Sequence, residues 1–160
     1  MPEPTGLHTH ENTDVEAIFD GYPPAVRPAM EALRGLILGV AAGLPEVGPL
    51  EESLKWGEPA FRPRRRRTGT TLRIDWKARA PGQLSLYVPC TTPLIGIFTG
   101  LHPEVFRAEG KRGLHLDRAQ PLPRAALEQC VALALTYHRR DQSPVWADLE
   151  LDPATAARPG

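Results

Sequence analysis

Apolar residues recur along this chain with two different periods, and the change of period separates helices at the ends from strands in the middle. Near the start, Val15, Ile18 and Phe19 share one face of a helix. Thr13, with Glu16 three positions on, has the form of a capping box, in which each side chain satisfies a free backbone N–H. This helix is therefore expected to begin near Asn12 and to end at Gly21. Tyr22-Pro23-Pro24 leads into a second helix, where Val26, Met30, Leu33, Ile37 and Val40 follow at spacings of four, three, four and three and Leu36 widens the stripe. Gly43 and Pro45 end it. A third helix is predicted over residues 123–139, with Leu127, Val131, Leu135 and His138 on its apolar side. Arg139 and Arg140 complement the negative pole of its dipole.

Between the second and third helices the period falls to two. Leu54 and Trp56 alternate with Ser53 and Lys55, and Leu72, Ile74 and Trp76 with Arg73, Asp75 and Lys77. Leu84, Leu86 and Val88 alternate with Ser85 and Tyr87, and Leu114 and Leu116 with Gly113, His115 and Asp117. Successive side chains of a strand point to opposite faces, so each run carries an apolar and a polar face. A further strand over residues 58–62 fits the same scheme, and Pro93 can open a short helix over residues 94–101. Thr68-Gly69 and Ala80-Pro81-Gly82 have the composition of turns. The expected fold class is α+β, a central antiparallel β-sheet of about five strands with two N-terminal helices and one C-terminal helix packed on one face. One domain over residues 12–147 is expected, with tails at residues 1–11 and 148–160.

Composition narrows the setting without naming a chemistry. The 160 residues hold 19 Lys and Arg against 19 Asp and Glu, so a chain-wide electrostatic footprint for nucleic acid or anionic membrane is absent and only local patches remain. Cys90 and Cys130 fit no CxxC or zinc spacing and read as reduced thiols. The first residues have neither a basic region nor an apolar core, and the longest apolar stretch, residues 36–44, is interrupted by Gly39 and Gly43 and too short for a bilayer. A cytoplasmic protein without a membrane partner is expected.

Three groups of residues are candidates for function. In Trp56-Gly57-Glu58-Pro59, Gly57 allows positive φ and Pro59 fixes its own φ, so the strand can bend to bring Trp56 and Phe61 to the core. Alternatively Lys55 and Trp56, with Gly57, Pro59 and Phe61, form the wall of a small-ligand pocket, the indole offering a flat face and the ammonium a charge. Arg64, Arg65, Arg66 and Arg67 repel one another and must be solvated, as a long hairpin tip that can contact phosphate or nucleic acid. No aromatic residue interleaves with them to stack on bases. Glu51 and Glu52, with other nearby carboxylates, offer oxygen ligands to a metal such as iron. His8 and His10 lie in the expected tail and make no preformed site. The chain has no GxSxG, no HExxH, no phosphate-binding glycine loop and no dinucleotide fingerprint, and Ser53, Ser85 and Cys90 have no recognisable nucleophile context.

The stretch Glu51-Glu52-Ser53-Leu54-Lys55-Trp56-Gly57-Glu58-Pro59-Ala60-Phe61 resembles the signature of the YdhG-like domain-of-unknown-function family, Lys-Trp-Gly-x-Pro-x-Phe after an amphipathic helix. Gln83-Leu84-Ser85-Leu86-Tyr87, Glu109-Gly110-Lys111-Arg112-Gly113-Leu114-His115-Leu116 and Pro121-Leu122-Pro123 resemble its later elements, so the likeness spans residues 15–139. It implies the same α+β fold. For one branch, described as frataxin-like iron chaperones, it implies iron handling. The expectation is a ligand- or metal-handling binding module, with an anion- or nucleic-acid-contacting module using the arginine loop as the alternative.

Overall fold

The computed structural model describes residues 6–147 and Leu149, giving residues 6–12 as backbone only. Helices α1 (Gly6–Asp20) and α2 (Arg27–Ala42) come first, followed by strands β1 (Leu50–Lys55), β2 (Glu58–Pro63), β3 (Leu72–Asp75) and β4 (Gln83–Tyr87). Helix α3 (Leu94–Leu101), strands β5 (Arg107–Glu109) and β6 (Gly113–Asp117), helix α4 (Arg124–Leu135), a 3-10 turn (Tyr137–Arg139) and α5 (Pro144–Ala147) complete the chain. The strands form one six-stranded sheet in the order β1-β2-β3-β4-β6-β5, with every neighbouring pair antiparallel. The α+β class, the antiparallel sheet and the placement of helices at both ends are as expected. The short strand β5 adds a sixth strand at one edge.

Alternation decides which face is dry. Phe61, Leu72, Ile74, Leu84, Leu86, Leu114 and Leu116 lie on one side of the sheet and join Val15 and Phe19 of α1, Met30, Leu33 and Ile37 of α2, and Leu127, Cys130, Val131 and Ala134 of α4 in one core. Each is almost fully withdrawn from water, which at about 25 cal/mol per Å² of apolar surface makes this layer the main source of stability. Phe98 and Ile95 of α3 close the core near the β5 edge.

Three local expectations are corrected. Helix α1 begins at Gly6, so Thr13 lies inside it and the capping box is not its start; with Val15 and Phe19 anchored, the helix propagates back through polar residues that nothing interrupts with proline. Residues 1–5 of the expected tail lie outside the described residues, as does the C-terminal tail save Leu149, which packs against the core. Helix α4 stops at Leu135, and the tighter turn after it buries Tyr137 and exposes His138. The β2–β3 connection is not a free hairpin tip. Its Thr68-Gly69-Thr70 segment docks on the end of α4, with Thr70 N donating to Ala134 O at 2.9 Å and His138 N to Thr68 O at 3.0 Å. Gly69 is required there, because a Cβ would lie 2.1 Å from Leu135 O.

Candidate functional site

The sheet face turned away from the helices carries the polar half of every strand, and the register arranges it in two rows. One row runs Ser53, Ala60, Arg73, Tyr87, Gly113, Glu109 across all six strands. The second, two residues along, holds Lys55 paired with Glu58, then Asp75, Ser85, His115 and Arg107. Glu58, Asp75, Ser85, Tyr87 and His115 are all buried despite facing away from the core. Burial without water requires partners, and the rows supply them. Glu58 binds Arg73 and, at 3.4 Å, Lys77, whose ammonium also binds Asp75. Asp75 first, and Glu58 after it, hold the Lys77 ammonium above its ordinary pKa.

The first row is organised around aromatic rings and guanidinium planes. β1 and β2 are joined by Trp56-Gly57 alone, both at positive φ (51° and 77°), which is the pattern of a type I′ turn. Asn-Gly is the usual pair there, because an L residue with a bulky side chain costs about 1–2 kcal/mol in the left-handed region. Trp56 takes that position and remains 85 % exposed. Its ring lies over the Arg73 guanidinium, 4.7 Å from carbon to centroid, and the same guanidinium lies 4.9 Å from the Tyr87 ring. Arg112 follows at 5.6 Å from Tyr87. Gly113 faces Tyr87 across the ladder and makes room for it, since a Cβ there would stand 2.9 Å from the ring. The result is a chain of Trp56, Arg73, Tyr87 and Arg112, each contact worth about 0.5–1 kcal/mol at an exposed site.

The second row contains Ser85 Oγ hydrogen-bonded to His115 Nδ1 at 2.8 Å, with His115 Nε2 2.8 Å from Glu109 Oε1. Arg112 also binds Glu109, at 2.8 Å. Arg112 first, and His115 with it, keep the Glu109 carboxyl below its ordinary pKa.

The residues proposed from sequence are distributed differently. Lys55, Trp56 and Gly57 are at the exposed turn, whereas Pro59 is buried in β2 and Phe61 is sealed in the core on the opposite face. The five do not line one pocket, because the two-residue turn consumes Trp56 before strand alternation can send it inward. Arg64, Arg65, Arg66 and Arg67 sit at the far end of the β1–β2 hairpin from Trp56. Arg65 is tied to Pro45 O at 3.3 Å and Glu46 O at 3.1 Å, Arg67 occupies the left-handed region, and all four are exposed. Glu51 and Glu52 are neighbours on a strand and so face opposite ways. Glu51 binds Arg62 at 2.5 Å, and Glu52 binds Arg34 of α2 at 2.8 Å. They do not converge on a metal, and among the described residues no three His, Cys, Asp or Glu side chains do. Arg73, Tyr87, Arg112, Ser85, His115 and Glu109 were not singled out as a site from sequence. Their signal was the polar half of each alternating run, which becomes a constellation only when the register is known.

No family model, no curated protein and no solved structure matches this chain. Among the described residues, no helix is long and apolar enough to cross a membrane.

Proposed function

We propose that this protein is a binding module whose polar sheet face takes an anionic ligand with a planar ring, namely a nucleotide of an unpaired nucleic-acid strand. The observation that carries the reading is Trp56. A large aromatic residue is held almost wholly in water, in a backbone conformation that disfavours it, with one face on Arg73 and the other free. Local strain and exposure of this kind mark sites where packing does not explain the residue. The free indole face offers stacking, worth about 1–3 kcal/mol per base. Lys55 and Arg112, both exposed, offer charge for the phosphate, with Arg112 shared with Glu109. Kinship with the YdhG-like family and a cytoplasmic location are parts of the same proposal, the first supported by the Lys55-to-Phe61 stretch.

The test is titration of the full chain with a fluorescent oligothymidylate. Trp56→Ala and Arg73→Ser are expected to weaken binding by about 5- to 150-fold, the range that 1–3 kcal/mol of stacking implies. Affinity is expected to fall with salt as phosphate-bound counterions are released. Absence of binding at low salt, or equal affinity in Trp56→Ala, overturns the reading.

A further inference from the structure

When the His115 imidazole is neutral, the hydrogen-bonded chain through Ser85, His115 and Glu109 has a defined proton direction. Glu109, paired with the Arg112 guanidinium, is a carboxylate and can only accept. His115 Nε2 is therefore the donor to Oε1, and Nδ1 of the neutral ring is the acceptor. In that state Ser85 donates its hydroxyl proton to Nδ1, across 2.8 Å. Acid, imidazole and hydroxyl thus stand in the order that activates a serine oxygen, with the imidazole nitrogens used in the reverse of the familiar protease arrangement.

Ser85 also lines a cavity of about 60 Å³ with Lys77, Arg79, Gln83, Tyr87 and Glu109. The backbone N–H groups of β4 are committed to a sheet with neighbours on both sides, so an oxyanion in this cavity would fall to side chains. Lys77 is anchored by Asp75 and Glu58. Gln83 accepts a hydrogen bond from Arg107 through its oxygen, which leaves its amide NH₂ as a donor. A cavity this small admits a short acyl group and excludes a long chain.

We propose that Ser85 is a nucleophile for acyl transfer, with His115 as its general base, Glu109 as a positioning residue, and a short-chain ester with an anionic alcohol portion as substrate. Ser85 Oγ attacks the ester carbonyl while its proton passes to His115 Nδ1. The C–O bond to the alcohol breaks, and the leaving oxygen takes that proton. Water then attacks the acyl-serine, gives a proton to Nδ1, and Ser85 departs with it, releasing the carboxylic acid. Lys77 and Arg79 receive the oxyanion and the charge on the alcohol portion. This inference does not rest on the nucleic-acid reading, and a failure to bind oligothymidylate leaves it standing.

The experiment treats the full-length wild-type chain with a fluorophosphonate probe and maps the modified peptide, alongside p-nitrophenyl acetate hydrolysis. Labelling is expected at Ser85, to be lost in Ser85→Ala and unchanged in Ser53→Ala. His115→Asn is expected to slow turnover by about 10²- to 10⁴-fold, the usual share of a general base. Glu109→Gln is expected to lower kcat with KM held, and Glu109→Asp to restore part of it, a split that a purely structural role would not produce. Peptide mapping of the wild type decides the matter even where a variant fails to fold. An unlabelled Ser85 in the folded wild type, or equal labelling rates in wild type and His115→Asn, overturns the proposal and leaves a polar cross-strand ladder.

Discussion

Replacing Trp56 by Asn separates the two residues that strand alternation would have placed together. Three terms set the magnitude. Asn tolerates the left-handed region, so the turn recovers about 1 kcal/mol of the strain that Trp56 imposes. The contact with Arg73 is lost, at about 0.5–1 kcal/mol. With 85 % of the residue exposed, only about 40 Å² of a side chain of about 250 Å² leaves contact, or about 1 kcal/mol. The terms nearly cancel, and Trp56→Asn is expected to lie within about 1 kcal/mol of the wild type, a shift of about 2–4 °C in Tm at most. Phe61→Ala, at a fully buried position five residues on, is expected to lose about 3–5 kcal/mol. Urea unfolding followed by far-UV circular dichroism compares them without relying on the tryptophan signal. A loss above about 2 kcal/mol in Trp56→Asn would place the indole in the core and refute the assignment of Trp56 to the surface.

Other outcomes follow from particular contacts. Gly69→Ala drives a Cβ into the Leu135 carbonyl and is expected to cost about 1–3 kcal/mol or more, seen as a lower urea midpoint; an unchanged midpoint would mean the β2–β3 loop does not dock on α4. Burial pushes the Cys130 thiol up to about 12, while Cys90 is exposed, so a thiol-reactive dye at pH 8 should modify one cysteine in the native protein and both in denaturant. Two fast-reacting thiols in the native state would contradict the buried position of Cys130. Glu109 has a folded-state pKa below its ordinary 4.5, so its contribution to stability is present above that value and is lost as pH falls through the lowered one. Thermal melts below pH 5 should therefore show a shallower decline for Glu109→Gln than for the wild type, and parallel curves would remove the Arg112–Glu109 pair from the account.

The fold was legible where burial follows period. The stripe of α2 and the inward sets Leu72/Ile74, Leu84/Leu86 and Leu114/Leu116 are where alternation and helical spacing put them, because one dry face demands one side of every strand. The edge strand β5 was not legible: three residues, two of them exposed, leave no period to detect. Trp56 misled for a different reason. It continues the apolar alternation after Leu54, but the left-handed φ of Trp56 and Gly57 ends the strand before that position counts. The site was hidden in a third way. Arg73, Ser85, Tyr87 and His115 read as ordinary solvent-facing residues one strand at a time, and only the pairings Arg73↔Tyr87 and Ser85↔His115 bring them within reach of one another.

The central claim, that the outer sheet face at Trp56 is the ligand surface, is tested most directly by the indole N–H signals in a proton–nitrogen correlation spectrum during oligothymidylate titration. The chain has three tryptophans. Trp76 packs against the core beside Tyr22 and Trp146 beside Tyr137, so both are held away from this surface. The account predicts that the Trp56 signal shifts saturably while the other two stay in place. Shifts confined to the arginine loop, or a Trp56 signal that does not move, would contradict it.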